Sequence, residues 1–177
     1  MHRLFVALRP PAELRRPLLA AMGGVPGARW QSDEQLHLTL RFIGEVDRHR
    51  AEEIALALAN IRVAPPTVAI AGVGSFGKGA KIDSLWAGVG HHPDLARLRQ
   101  SVERALAGAG IEPERRAFRP HITLARLSRA AGSAEEWLAY HAGLRLPPVT
   151  ISHLLLFESS LGQQGAVYEA VARYELT

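Results

Sequence analysis

His37-Leu38-Thr39-Leu40 and His121-Ile122-Thr123-Leu124 place residues suited to acid–base chemistry in one pattern twice, 84 residues apart. In each tetrad polar and apolar residues alternate, the period-two signature of a half-buried strand. His and Thr therefore project from one face and the aliphatic residues from the other. One His-x-Thr triplet is weak information. Between apolar neighbours only about 0.05 copies are expected by chance in a chain of this composition, so the pair is a strong signal. Histidine changes charge near neutral pH, which lets one imidazole be neutral while another is protonated. Two of them in one pocket suit an in-line displacement at phosphorus. One takes a proton from the attacking hydroxyl and the other gives one to the departing oxygen, each transfer contributing about 10² to 10⁴ in rate. Threonine hydroxyls would donate to the non-bridging oxygens, and an arginine would offset the charge developing there. Such chemistry needs no metal. The chain has no Asp/Glu cluster and no His ligands at the usual metal-site spacings, so we expect no metal and no cofactor.

The elements that must position these residues follow from pattern. The motif spacing is close to half of the 177 residues, which implies two related lobes contributing one strand each. Residues 3–8 read as a strand. Pro11 opens a helix to about residue 22, in which Pro17 predicts a kink or an early stop near Arg16. Residues 23–27 form a loop and 28–30 a short strand. The first motif strand covers 36–43, with Gly44 ending it. A helix over 50–61 aligns Ile54, Leu58 and Ile61. Pro65-Pro66 opens a strand through Val68, Ile70 and Val73, and 84–89 reads as another. The clearest helix is 93–109, with Pro93 first and Leu95, Leu98, Val102 and Leu106 as its apolar stripe. The second motif strand runs to about Leu127. Ser133 then caps a short helix to about Tyr140. One strand over 149–157 and another over 166–176 complete the chain. Strands in runs, with a few interspersed helices, indicate an α+β fold of mainly antiparallel sheet. No linker divides the sequence, so residues 1–177 read as a single domain.

Composition excludes several classes. With 47% apolar and 21% charged residues the chain is that of a soluble globular protein. The lack of cysteine rules out disulfides, zinc–thiolate sites and a thiol nucleophile, and fits a reducing cytoplasm. The apolar start is cut by Arg9-Pro10-Pro11, so it reads as a strand and not a signal peptide. No apolar run approaches the roughly 18 residues of a membrane span. Arginine supplies 19 of the 21 basic residues behind the +4 charge. That suits phosphate-bearing partners and equally suits an arginine-rich codon bias, so charge decides nothing.

Residues 72–79 show the G-x-x-x-x-G-K frame of a phosphate-binding loop. Gly79 stands where a magnesium-binding Ser or Thr would follow Lys78, and a strand follows instead of a helix. A flexible strand-to-strand loop that leans over a substrate is the better reading.

The two motifs resemble those of the two-histidine phosphoesterase superfamily, and within it the bacterial and archaeal RNA 2′,3′-cyclic phosphodiesterases, historically called 2′-5′ RNA ligases. The similarity also covers residues 3–8, 36–44, 85–89 and 118–126. It implies a bilobal fold of two pseudo-symmetric lobes, helices outside, with the motifs facing across a central cleft. It implies metal-independent hydrolysis of RNA 2′,3′-cyclic phosphate ends to 2′-phosphate ends. Separately, and from no residue pattern, we expect a monomer. By the same resemblance His37 is the proton donor to the leaving 3′-oxygen and His121 the base that activates water. Thr39, Thr123 and Arg126 hold phosphate oxygens. Simple alternation puts Arg126 on the wrong face, so its role requires a bulge in the strand.

Other residues read more plainly. Arg41 shares a face with His37 and Thr39, in the cleft or on its rim. Phe42 reads as core, and Trp30, Trp86 and Trp137 as packing. His2, His49, His91, His92, His141 and His153 lack partner motifs. Three alternatives stay open: a phosphodiesterase for small nucleotides such as ADP-ribose cyclic phosphate, a non-catalytic RNA-binding module, and a magnesium-dependent nucleotidase centred on Lys78. Reverse ligation to a 5′-hydroxyl follows from microscopic reversibility.

Overall fold

The computed structural model describes residues 1–177. In chain order the elements are β1 (His2–Leu8), α1 (Ala12–Ala20), β2 (Ala28–Trp30), a 3-10 turn (Asp33–Gln35), β3 (Leu38–Val46) and α2 (Arg48–Leu58). Then come β4 (Thr67–Lys78), β5 (Lys81–Val89), α3 (Pro93–Gly108), β6 (His121–Leu127), α4 (Glu135–His141), β7 (Arg145–Thr150), β8 (His153–Gly162) and β9 (Gly165–Glu175). Eight strands lie in the order β7-β4-β5-β6-β3-β1-β8-β9, with β2 added on β6, and every pairing is antiparallel.

That order divides between β6 and β3, the two motif strands, into sets of four related by a pseudo-twofold. The two sets pair through one residue couple, Leu38 opposite Ile122. Both side chains are fully buried, as is Leu124, and Leu40 nearly so. Each is worth about 1.5–3 kcal/mol of burial, which anchors the motifs from their aliphatic side. They belong to a core shared with the stripes of α2 (Ile54, Leu58) and α3 (Leu95, Leu98, Val102, Leu106). Strand β1 alternates between two cores. Leu4, Val6 and Leu8 join this one, while Phe5 and Ala7 meet Leu155 and Phe157 on the opposite face.

Several expectations need correction. Helix α1 runs through Pro17 to Ala20. Proline there removes one N–H bond to Glu13, and burial of Leu14 and Leu18 outweighs the loss. Gly44 does not end β3. It adopts φ +93° next to a bulge in which Ile43 lacks a partner on β1, and the strand continues to Val46. Residues 72–79 are not a flexible loop, since β4 extends to Lys78 and turns directly into β5. No helix follows Lys78, which removes the phosphate-loop reading. The apolar stretch 149–157 is two strands. Ile151 leaves the β7–β4 ladder to donate to the Pro66 carbonyl, and Ser152 accepts from Leu176.

This last break bends the sheet. Three residue steps separate Thr150 from His153, a reach of at most about 11 Å. On a flat sheet, strands at the first and seventh positions would stand about 29 Å apart. The sheet must therefore curl until β7 hands the chain to β8.

Arg41 closes the back of the central strands. A bulge leaves Leu40 unpaired and turns Arg41 away from the face of Thr39. Its guanidinium, 8% exposed, donates to Glu103 of α3 at 2.7 Å and to the Glu112 carbonyl at 2.5 Å. Removing one partner of such a buried pair costs about 3–5 kcal/mol, against about 0.3–0.5 for an exposed helical pair such as Arg48–Glu52. Glu103→Ala should therefore lower the urea midpoint strongly and Glu52→Ala scarcely at all.

Candidate active site

Alternation along the two motif strands sends His37, Thr39, His121 and Thr123 to the face away from the main core, where all four are half-buried. Extending the Leu38–Ile122 register by one residue sets His37 opposite Thr123 and Thr39 opposite His121. The two rings are held alike. Nδ1 of His37 donates to the Gln35 carbonyl and Nδ1 of His121 to the Arg119 carbonyl, both at 2.7 Å. A carbonyl can only accept, so the neutral rings carry their proton on Nδ1 and turn Nε2 outward. The Gln35 carbonyl is itself fixed by a capping box, in which Ser32 and Gln35 satisfy each other's backbone.

The surroundings differ. His37 is walled by Phe5 and Tyr168, each 4.9 Å between ring centres, and by Phe157 at 6.2 Å. This burial pushes its pKa down to about 4, against the bond to Gln35 and with the positive charges of Arg126, His121 and Arg9 adding to the effect. His121 lies edge-on to Phe76 at 4.9 Å and 5.8 Å from Trp86. Its pKa is also lowered, first by burial, with Arg126 contributing. Gly74 gives Trp86 its place: a Cβ at that position would lie 2.3 Å from the indole.

The required bulge is present. On β6 Leu124 has no partner on β5, so the face resets and Arg126 returns to the side of His121 and Thr123. Because the strands are antiparallel, Arg126 falls beyond Thr123 and joins His37 and Thr39 around a cavity of about 660 Å³. The matching bulge on β3 brings Phe42 to the corresponding place in the other motif. Phe42 is therefore not core. It is 42% exposed, lies under Arg3 at 5.2 Å, and stands with Thr39 between the first cavity and a second of about 700 Å³. This second cavity holds His121, Phe76, Phe118 and four arginines, Arg41, Arg99, Arg116 and Arg119. Thr123 lines neither cavity.

Sequence patterns gave no notice of Phe42, Phe5 or Tyr168 as walls of the site. Trp86 proves to flank it, while Trp137 is packing, donating to the Ala21 carbonyl. His2, which has no partner motif, meets Glu158 at 2.8 Å. No three His, Asp or Glu side chains assemble as a metal-ligand set anywhere in the fold.

A folded pKa near 4 against an unfolded value of 6.5 means that the folded chain binds fewer protons at His37 between those limits. The stability that neutral His37 preserves is complete above pH 6.5 and is lost as pH falls toward 4. His37→Asn should flatten this loss in urea midpoints measured across that window. Arg126→Gln should raise the pKa of His37, since removing a positive neighbour favours the imidazolium, and NMR titration of the ring reads it directly.

Comparison with known proteins agrees with this fold. The sequence model described as LigT like Phosphoesterase matches residues 8–86 and 89–168. The RNA 2′,3′-cyclic phosphodiesterase of Aeropyrum pernix is 36% identical over 151 residues, covering 84% of this chain and 85% of that one. That of Archaeoglobus fulgidus is 27% identical, covering 98% and 99%. The crystal structure of E. coli LigT complexed with 3′-AMP superposes with a TM-score of 0.77 at 26% identity, covering 99% and 98%. With residues 8–86 and 89–168 matched and nearly the whole length covered, the chain belongs to the LigT-like phosphoesterase family.

Proposed function

We propose that the protein hydrolyses RNA 2′,3′-cyclic phosphate ends to 2′-phosphate ends, with residues 1–177 acting as one domain. The observation that carries this reading is the matched pair of imidazoles, each tethered through Nδ1 and each offering Nε2 from opposite strands. Water attacks phosphorus as its proton passes to Nε2 of His121, which the lowered pKa keeps free of a proton at neutral pH. The bond from phosphorus to O3′ breaks as Nε2 of His37 delivers a proton to that oxygen. Proton exchange with solvent resets both rings. His37 must gain its proton despite a pKa near 4 in the free protein. The anionic cyclic phosphate supplies the remedy, since its charge offsets Arg126 and favours the imidazolium beside it. Thr39 and Arg126 hold the non-bridging oxygens; Thr123, which lines neither cavity, joins them in this reading only on its register opposite His37. The same geometry run with a 5′-hydroxyl in place of water is ligation to a 2′-5′ bond.

The test is turnover of a short RNA ending in a 2′,3′-cyclic phosphate, in excess EDTA, beside a cyclic mononucleotide and ADP-ribose cyclic phosphate. Wild type should give the 2′-phosphate, and His37→Ala and His121→Ala should each fall by about 10² to 10⁴ while remaining folded. A 3′-phosphate product would reverse the roles of the two histidines. Turnover of the small nucleotides alone would favour the small-nucleotide alternative, and RNA binding without turnover would leave a recognition module.

A further inference from the structure

The face of β8 and β9 that walls His37 carries a second convergence of polar side chains. Phe157, Leu155 and His153 alternate onto this face along β8, and Arg173 lies across from Leu155 on β9. Phe157 is 6.2 Å from the His37 ring, and His153 lies four residues back, about 13 Å along the strand. There Arg9, Thr150, Ser152, His153 and Arg173 line a cavity of about 210 Å³. That is below the roughly 300 Å³ at which pockets for whole small molecules begin, so it fits a group rather than a nucleotide.

The donors are held in place. Arg9 is fixed by bonds from Nη1 to the carbonyls of Asp33 and Leu36, at 2.6 and 2.7 Å. Nδ1 of His153 lies 3.2 Å from Nη2 of Arg173 and 2.9 Å from the Ser152 hydroxyl. A guanidinium can only donate, so this Nδ1 accepts and the imidazole proton sits on Nε2. The group thus offers an imidazole N–H, spare guanidinium N–H groups and the Thr150 hydroxyl, the Ser152 hydrogen being given to Nδ1. No carboxylate lines the cavity. Asp33, 3.8 Å from Arg9, is held by Arg15 at 2.8 Å, and Glu175 pairs across from His153 on the same face without lining the cavity. Such a set suits a tetrahedral oxyanion.

We propose that this cavity is a backbone-phosphate subsite, holding a phosphodiester of the RNA a few nucleotides from its cyclic end. The proposal rests on the RNA reading above for its ligand. Inorganic phosphate shares the chemistry. The common face with His37, one strand-length away, argues for the RNA chain.

The test compares Arg173→Gln with wild type on a cyclic mononucleotide and on a hexanucleotide ending in a 2′,3′-cyclic phosphate. Binding of the labelled hexanucleotide is followed in parallel by fluorescence anisotropy. Loss of one charge-assisted contact should raise KM and Kd for the hexanucleotide about tenfold, with kcat/KM for the mononucleotide unchanged. The dependence of log Kd on log salt should also weaken by about 0.7, the share of one phosphate on a single strand. Equal hexanucleotide affinity and salt slope in the two proteins would overturn the proposal. So would loss of inorganic phosphate binding, read by calorimetry, with hexanucleotide affinity intact. If wild type turns over neither substrate, the catalytic reading fails, and the anisotropy comparison still decides the subsite.

Discussion

The arrangement depends on one cross-strand couple, Leu38 against Ile122. Pairing two copies of the same His-aliphatic-Thr frame antiparallel about its middle residue generates a local twofold, with each histidine brought opposite the other copy's threonine. The aliphatic residues enforce this more than the polar ones do. Both are fully buried, and a slip of one residue on either strand would drive a histidine and a threonine into the leucine-rich core. The site is thus specified from behind, by the packing of α2 and α3 under the sheet.

On that symmetric base the chain builds an asymmetric site. Bulges at Leu40 and Leu124 recur at matched places, but the side chains they bring round are Phe42 in one motif and Arg126 in the other. The positive charge consequently stands beside His37, which is also the ring enclosed by three aromatic neighbours. His121 keeps two aromatic neighbours and opens on an arginine-lined cavity. Equivalent tethers through Nδ1 hold the two imidazoles, and burial lowers the proton affinity of both, that of His37 to a pKa of about 4. Opposite parts in a proton transfer therefore depend on a bound anion, whose negative charge favours the imidazolium on the ring beside Arg126.

The sequence made the motif strands legible because their alternation is regular where it matters, over residues 37–40 and 121–124. It also made α3 legible, whose stripe and first-position proline agree with each other. Alternation could not count an extra residue inside a strand. Arg41 and Phe42 were therefore assigned to exchanged faces, and Arg126 required an irregularity that pattern alone could demand but not locate. The long β4–β5 ribbon was hidden by its glycines, which look like a loop. Gly74 is instead a gap filled by Trp86, its partner across the ribbon. The aromatic wall of His37 comes from Phe5, Phe157 and Tyr168 on β1, β8 and β9, each more than thirty residues from His37, and local spacing says nothing about such meetings.

The position of β1 between β3 and β8 has a consequence for how the protein comes into being. A chain emerging from the ribosome would have β1, β3 and α2 available early, yet the half-sheet they belong to gains β8 and β9 only from the last quarter of the sequence. The other half, β4 to β7, is contiguous and can close as soon as residue 150 is free. The half-sheet built on the first motif is therefore the less contiguous of the two. Until Phe157 and Tyr168 arrive, His37 stands in water with an ordinary proton affinity, so its lowered pKa belongs to the assembled sheet and not to the motif itself.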